Sequence, residues 1–322
     1  MKMLACADIQ LGAICTENLD VKQSHIWRNA RYQKMSDLVD KTAQNNASYL
    51  ALFGRIFGQD RVSESVIDVL FNAVKEDRNV QVLLFLDATE HNRISYRNDI
   101  PENLHLICVQ AKYSFTDDHI ALRIDKGAVE LQLSDNDAIL VRKNEQGQYT
   151  VYAQDAYVIP CFEPTGFETE PNTSCGYLVM EWFEESLGEF RLQPDQKYGY
   201  QSIELKVLPE DDEKEILRKI NNAVRKIDYD TFLRITISGR SAFGLTINSD
   251  ALKNQLQNRI FYVQVYDNTV MDIDEEAFEN DISLSSEFVR LALQDDSLSE
   301  SERNRLISCG WNALSGKEVV SE

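Results

Sequence analysis

Apolar and polar positions over the first hundred residues fall into two alternating patterns. Residues 3–7, 48–53 (SYLALF) and 80–86 (VQVLLFL) are short, nearly unbroken apolar runs. Runs of this kind read as buried strands. Between them, apolar residues recur at helical spacing. In 24–45 these are Ile26, Ala30, Met35, Leu38, Val39 and Thr42, with Arg28, Arg31, Lys34 and Lys41 among the remaining positions. In 63–77 they are Val66, Val69, Leu70 and Val74. Strands alternating with helices predict βαβ units and a parallel sheet. Such a sheet places its chemistry on the loops after the strand C-termini, here 8–12, 54–60 and 87–92.

From 104 to 182 the pattern changes. Short β-rich runs (LHLICV, HIALRI, VELQL, AILVRK, YTVYA, YVIP and GYLVMEW) are separated by turns, which predicts antiparallel sheet. His105, alternating with Leu104 and Leu106, is expected to face solvent. The stretch 163–175, with Pro164, Gly166 and Pro171, has no helical pattern. A second unit follows: strand 202–207, a helix with an acidic first turn after Pro209, strand 231–238, helix 250–257 and strand 260–266. This predicts a small α+β domain. From Met271 the chain is acidic, with helices expected at 284–294 and 299–314. Ser299 and Glu302 have the spacing of a capping box. The resulting division is 1–190, 197–270 and 271–322.

Composition narrows the picture. The chain of 322 residues is 43% hydrophobic and 27% charged, enough for a folded core. Its net charge of -20 disfavours a generic binder of nucleic acid or anionic membrane, though not a local basic groove. No stretch approaches the roughly 18 apolar residues of a membrane span, and Asp8 interrupts the first apolar run, unlike a secretory signal. A cytoplasmic protein is expected, with its six cysteines reduced and mostly structural. Cys161 and Cys175 flank a loop, and a disulfide between them is not expected in that compartment.

Asp8-Ile9-Gln10-Leu11-Gly12 after the first strand resembles the D-x-H-L-G opening of calcineurin-like metallophosphoesterases, in particular SbcD/YhaO-type DNA-repair exonuclease subunits. Gly54-Arg55-Ile56-Phe57-Gly58 resembles their G-D-L-F-D loop. Asp87-Ala88-Thr89-Glu90 stands where that family has G-N-H-D. YLVME at 177–181 resembles the last core strand, 205–240 the cap, and 284–319 the YhaO-type C-terminal helices. The resemblance covers nearly the whole chain through the order of its motifs. It implies an α/β protein: a metallophosphoesterase core of two packed mixed sheets flanked by helices, the small α+β capping domain and a C-terminal helical tail.

The same resemblance implies a site that has lost its chemistry. Family members hold two divalent ions with carboxylates, His and Asn. Asp8 is retained, but Gln10 replaces the His of the first motif and Arg55 the bridging Asp of the second. Ala88 and Thr89 replace the Asn and His of the third. No His follows His119, so the later His ligands have no counterpart. The remnant positions are Asp8, Gln10, Gly54, Arg55, Asp87, Thr89, Glu90 and His91. Among them Asp8, Glu90 and His91 are the metal-ligand candidates, and an ion pair between Asp8 and Arg55 is expected to fill the cavity. Arg93, Tyr96 and Arg97 nearby are read as a solvated loop.

The expected function is that of a catalytically inactive SbcD-like scaffold. It would need no cofactor, bind an SbcC-like coiled-coil ATPase, form a homodimer and meet DNA through the complex, with no membrane. Phe288, Leu291, Leu306 and Trp311 on the tail are the partner-binding candidates, with Phe288 and Trp311 equally able to dock within the chain. One alternative is an active exonuclease dependent on Mn²⁺ or Mg²⁺, using Asp8, Asp87, Glu90 and His91. Another is a stand-alone binding protein.

Overall fold

A computed structural model describes residues 1–59, 62–111, 113–116, 121–125, 127–132, 138–153, 155–161, 175–183, 186–245, 247–274, 278, 281–314 and 316. The stretch read as a loop at 163–174, Asp60 in the second loop, His119, and 317–319 at the end of the tail lie outside them. The fold is mixed α/β, in two compact units, Met1–Tyr198 and Gly199–Glu322.

In the first unit, β1 (Lys2–Ala7), β2 (Tyr49–Phe53), β3 (Gln81–Leu86) and β4 (Leu104–Cys108) run parallel. The sheet is extended past β1 by antiparallel β11 (Gly176–Phe183) and then β12 (Ser186–Pro194). Strands β1 to β3 are buried along almost their whole length, as parallel strands covered on both faces should be. One face carries Leu4, Leu52, Val82 and Leu84 against α1 (Val21–Gln44) and α2 (Glu64–Glu76). The other carries Ala5, Phe53, Phe85 and Met180 against Leu122, Val129, Val141 and Val151 of a second six-stranded sheet. That sheet is antiparallel throughout: β5 (Tyr113–Thr116), β6 (Ala121–Asp125), β7 (Ala128–Gln132), β8 (Ala138–Lys143), β9 (Tyr149–Tyr152) and β10 (Ala156–Val158).

Four expectations change here. Residues 88–94 are not loop but a short helix, α3 (Ala88–Ile94), capped by Asp87. Strand β4 joins the parallel sheet instead of opening the antiparallel one, because α3 and the chain after it make the crossover that parallel neighbours need. The inward stripe of α1 is rotated in its first half. Trp27, Arg31 and Lys34 are buried there, and Ile26 is 40% exposed. His105 is half-buried, its Nε2 2.9 Å from Gln81 Oε1.

In the second unit, β13 (Gly199–Val207), β14 (Thr231–Ser241) and β15 (Tyr262–Met271) are all parallel. They are joined through α4 (Glu213–Ala223) and α5 (Ser249–Leu256). The α+β reading therefore becomes a βαβαβ unit, the arrangement that strand–helix–strand order favours. Leu233, Ile235 and Ile237 pack with Ile216, Ile220 and Leu252. Asp212 caps α4 by accepting from the Glu215 N–H at 2.7 Å. The tail forms α6 (Leu284–Leu293) and α7 (Glu300–Leu314). The capping box closes, with Ser299 Oγ accepting from Glu302 N–H at 3.3 Å and Glu302 Oε2 from Ser299 N–H at 2.9 Å.

Trp311 lies in an aromatic cluster, 4.6 Å from the Phe243 ring and 6.1 Å from that of Phe278. Phe288 fills the notch at Gly310, where a Cβ would come within 2.2 Å of its ring. Truncating a packed aromatic costs about 3–5 kcal/mol when it is fully buried. Trp311 is half-buried, so Trp311→Ala is expected to lower the opening free energy of β14 and β15 by about 2–3 kcal/mol in amide hydrogen exchange. A change below about 0.5 kcal/mol would make Trp311 a surface residue.

Candidate functional site

The candidate site forms where the chain leaves β1, β2 and β3. Asp8 (φ 48°), Gln10 (φ 47°) and Gly12 (φ 73°) all take left-handed backbone after β1, as does Gly54 (φ 78°) after β2. Non-glycine residues rarely adopt this region. It persists here because the two loops are laced together. Asp8 N–H donates to Phe53 C=O (2.9 Å), Gln10 to Arg55 (3.1 Å), Leu11 to Ile56 (2.8 Å) and Gly58 back to Leu11 (2.9 Å). The approach is close enough that a Cβ at Gly58 would meet Ala13 Cβ at 2.3 Å. One at Gly54 would meet Asp8 Oδ1 at 2.2 Å.

Arg31 secures the lacing from within the core. It is 1% exposed, and its Nη2 donates to the carbonyls of Ile9 (3.1 Å) and Gln10 (3.4 Å). Glu90 does the same from the other side. Its Oε1 accepts from the N–H groups of Ile56 (3.1 Å) and Phe57 (3.0 Å). Asp87 caps α3 through the Glu90 N–H at 2.8 Å.

Asp8 Oδ1 accepts from the Arg55 N–H at 2.8 Å, and Cys161 Sγ donates to Oδ2 at 3.7 Å. The expected Asp8–Arg55 ion pair does not form. Arg55 offers its backbone amide while its side chain is exposed, because the lacing turns its amide toward Asp8. Gln10 and His91 are half-buried, Thr89 and Asp87 are exposed, and Ala88 and Thr89 open the exposed first turn of α3. Among the described residues, no three His, Cys, Asp or Glu side chains converge to hold a metal ion. Gln10, Arg55, Ala88 and Thr89 offer neither carboxylate nor imidazole at four of the positions that the resemblance assigns to metal ligands.

Three residues of the site escape sequence reasoning. Arg31 is hidden by the misphased stripe of α1, although Trp27 and Arg31 stand one helical turn apart, with the guanidinium 4.9 Å from the Trp27 ring. Tyr149 arrives from β9 of the second sheet, its ring 5.4 Å from that of Phe53. Burial, then the charges of Asp8, Asp87 and Glu90, push its phenol up to about 12. Cys161 sits beside the end of β1, and burial followed by the Asp8 charge pushes its thiol up to about 12. Nothing in the spacing of these residues announces the contacts. The tail candidates divide: Trp311 and Phe288 are half-buried, while Leu291 is 60% and Leu306 42% exposed.

Compared with known proteins, the chain matches no family model, and no curated protein matches it.

Burial raises the Glu90 carboxyl above its ordinary 4.5, only partly offset by the Phe57 and Ile56 amides. The folded protein therefore binds this proton more tightly than the unfolded chain, so stability from the group is lost as pH rises through the folded pKa. Glu90→Gln does not titrate. The stability of the unaltered protein relative to this variant is expected to fall between pH 4 and pH 7 in denaturant unfolding. A rise over that range would place the carboxyl below 4.5.

Proposed function

We propose that this chain is an SbcD-like subunit of a DNA-processing complex, a pseudonuclease scaffold with a metallophosphoesterase-type core. It holds no Mn²⁺ or Mg²⁺, binds an SbcC-like coiled-coil ATPase through its tail, and meets DNA through that complex. The observation that carries the reading is the commitment of the remaining carboxylates. Asp8 Oδ1 accepts from the N–H group of Arg55, and Glu90 Oε1 from those of Ile56 and Phe57. A metal ligand needs its lone pairs directed at an open position. These point at the backbone that, in the resembling family, carries the bridging Asp. The two packed sheets, with parallel β1 to β4 on one side, support the same core.

Titration of the protein with Mn²⁺ by calorimetry, followed by incubation with linear DNA, tests the reading. No stoichiometric heat and intact DNA are expected. Two bound ions with shortened DNA would replace the scaffold with a metal-dependent exonuclease.

The tail supports the partner. Ile282 (97%), Leu284 (72%), Leu291 (60%) and Leu306 (42%) are exposed among acidic residues, a mixture suited to an amphipathic, basic coiled coil. Leu291→Asp with Leu306→Asp is expected to weaken capture of the coiled-coil ATPase at least tenfold while changing stability by less than about 0.5 kcal/mol. Undiminished capture would move the partner surface elsewhere.

A further inference from the structure

Three thiols lie near the end of β1, beside Asp8. Cys6 on β1 donates its Sγ–H to the Gly176 carbonyl at 3.3 Å. Cys161 is paired in isolated bridges with Ala7 on one side and Cys175 on the other. Gly176 N–H donates to the Cys161 carbonyl at 3.2 Å and Ala7 N–H to Pro160 at 2.9 Å, so the pairing is hydrogen-bonded on both sides. None of the six cysteines is in a disulfide.

We propose that Cys161 and Cys175 are a reversible disulfide site, and that closing it removes the thiol donor from Asp8 Oδ2. Directly paired positions on neighbouring extended segments lie about 4.8 Å apart. A disulfide spans roughly 4.4–6.8 Å between Cα atoms, so the backbone already stands in range. Cys161 is half-buried and within reach of a small reagent, while Cys175 and Cys6 are buried. Cys175, directly paired with Cys161, is the resolving thiol, while Cys6 is directed at the Gly176 carbonyl.

The oxidant is a small-molecule disulfide of the glutathione class. Cys161 Sγ attacks one of its sulfurs and the S–S bond of the reagent breaks. A mixed disulfide forms, and one small thiol leaves with the Cys161 proton. Cys175 Sγ then attacks Cys161 Sγ, and the second small thiol leaves with the Cys175 proton. Two electrons pass from the cysteine pair to the reagent. The Cys161 thiol is held protonated by burial and by Asp8, so the exchange is slow and the incubation must be long. In the closed form Asp8 keeps the Arg55 amide on Oδ1. Both flanks of 162–174 are then tied together.

The full chain is incubated with glutathione disulfide, alkylated and cut with a Glu-specific protease, for which the Glu168–Thr169 bond lies between the two cysteines. The expected product is a Cys161 peptide joined to a Cys175 peptide, separated by reduction, with these two thiols lost to alkylation. Cys6→Ser keeps the linkage, and Cys175→Ser stops at a glutathione adduct on Cys161. Alkylated Cys161 and Cys175 after Cys15, Cys108 and Cys309 have reacted would overturn the proposal, as would a linkage to Cys6.

Discussion

The lacing of the loops after β1 and β2 is the constraint on which the first unit depends. Parallel strands normally diverge at their C-terminal ends into separate crossovers. Here the pairing runs on past the strands through Gln10, Leu11 and Gly58, and the chain bends back through left-handed Asp8, Gln10, Gly12 and Gly54. Each strained non-glycine residue costs on the order of 1–3 kcal/mol, so the bends persist only where the surroundings over-determine them. Arg31 and Glu90 supply that determination from opposite sides, both on carbonyl or amide groups of the loops themselves.

Glu90 shows which electrostatic effect wins. Hydrogen bonds to a charged acceptor contribute about 1.5–3 kcal/mol each. Taking a carboxylate out of water costs several kcal/mol. Two amides against that penalty come close to cancelling it, and the carboxyl remains above its ordinary range, so desolvation prevails. Tyr149 extends the same logic. A buried phenol in the field of three carboxyl groups stays neutral, and a neutral ring tolerates acidic surroundings that a second anion would not.

Most of the element order can be read from apolar spacing, because β1 to β3 and α2 bury one type of surface each and their runs are clean. The misses have local causes. Helix α1 buries Arg31 and Lys34, so a charged pair occupies positions that periodicity assigns to solvent. Helix α3 is short and begins with Asp87, which reads equally as a loop residue or as a cap. Strand β12 mixes Glu189, Arg191 and Gln193 with Phe190 and Leu192, as an edge strand does, and its period of two is easily passed over. At the site, Asp8, Arg55, Glu90 and Gly54 are legible as neighbours through motif order. The partner each selects is not, since Arg55 contributes an amide where its charge suggests an ion pair. Tyr149 and Cys161 reach the site through sheet packing and a bridge formed across long sequence separations, which no short-range pattern encodes.

Converging carboxylates in a loop cluster need neutralising, and bound cations are one means of doing it. In this chain the groups that gather the loops are the protein's own: a buried guanidinium on carbonyls, and backbone amides on carboxylates. These contacts hold the loops against one another. The bonds of the lacing run through backbone groups and the side chains of Asp8, Arg31 and Glu90, and not through the side chains of Gln10, Arg55, Ala88 and Thr89. The strands, the left-handed turns and the close approach at Gly58 can be kept while side-chain chemistry above them changes. A scaffold role asks only for that rigidity, since what it presents to a partner is shape and charge rather than a reactive group.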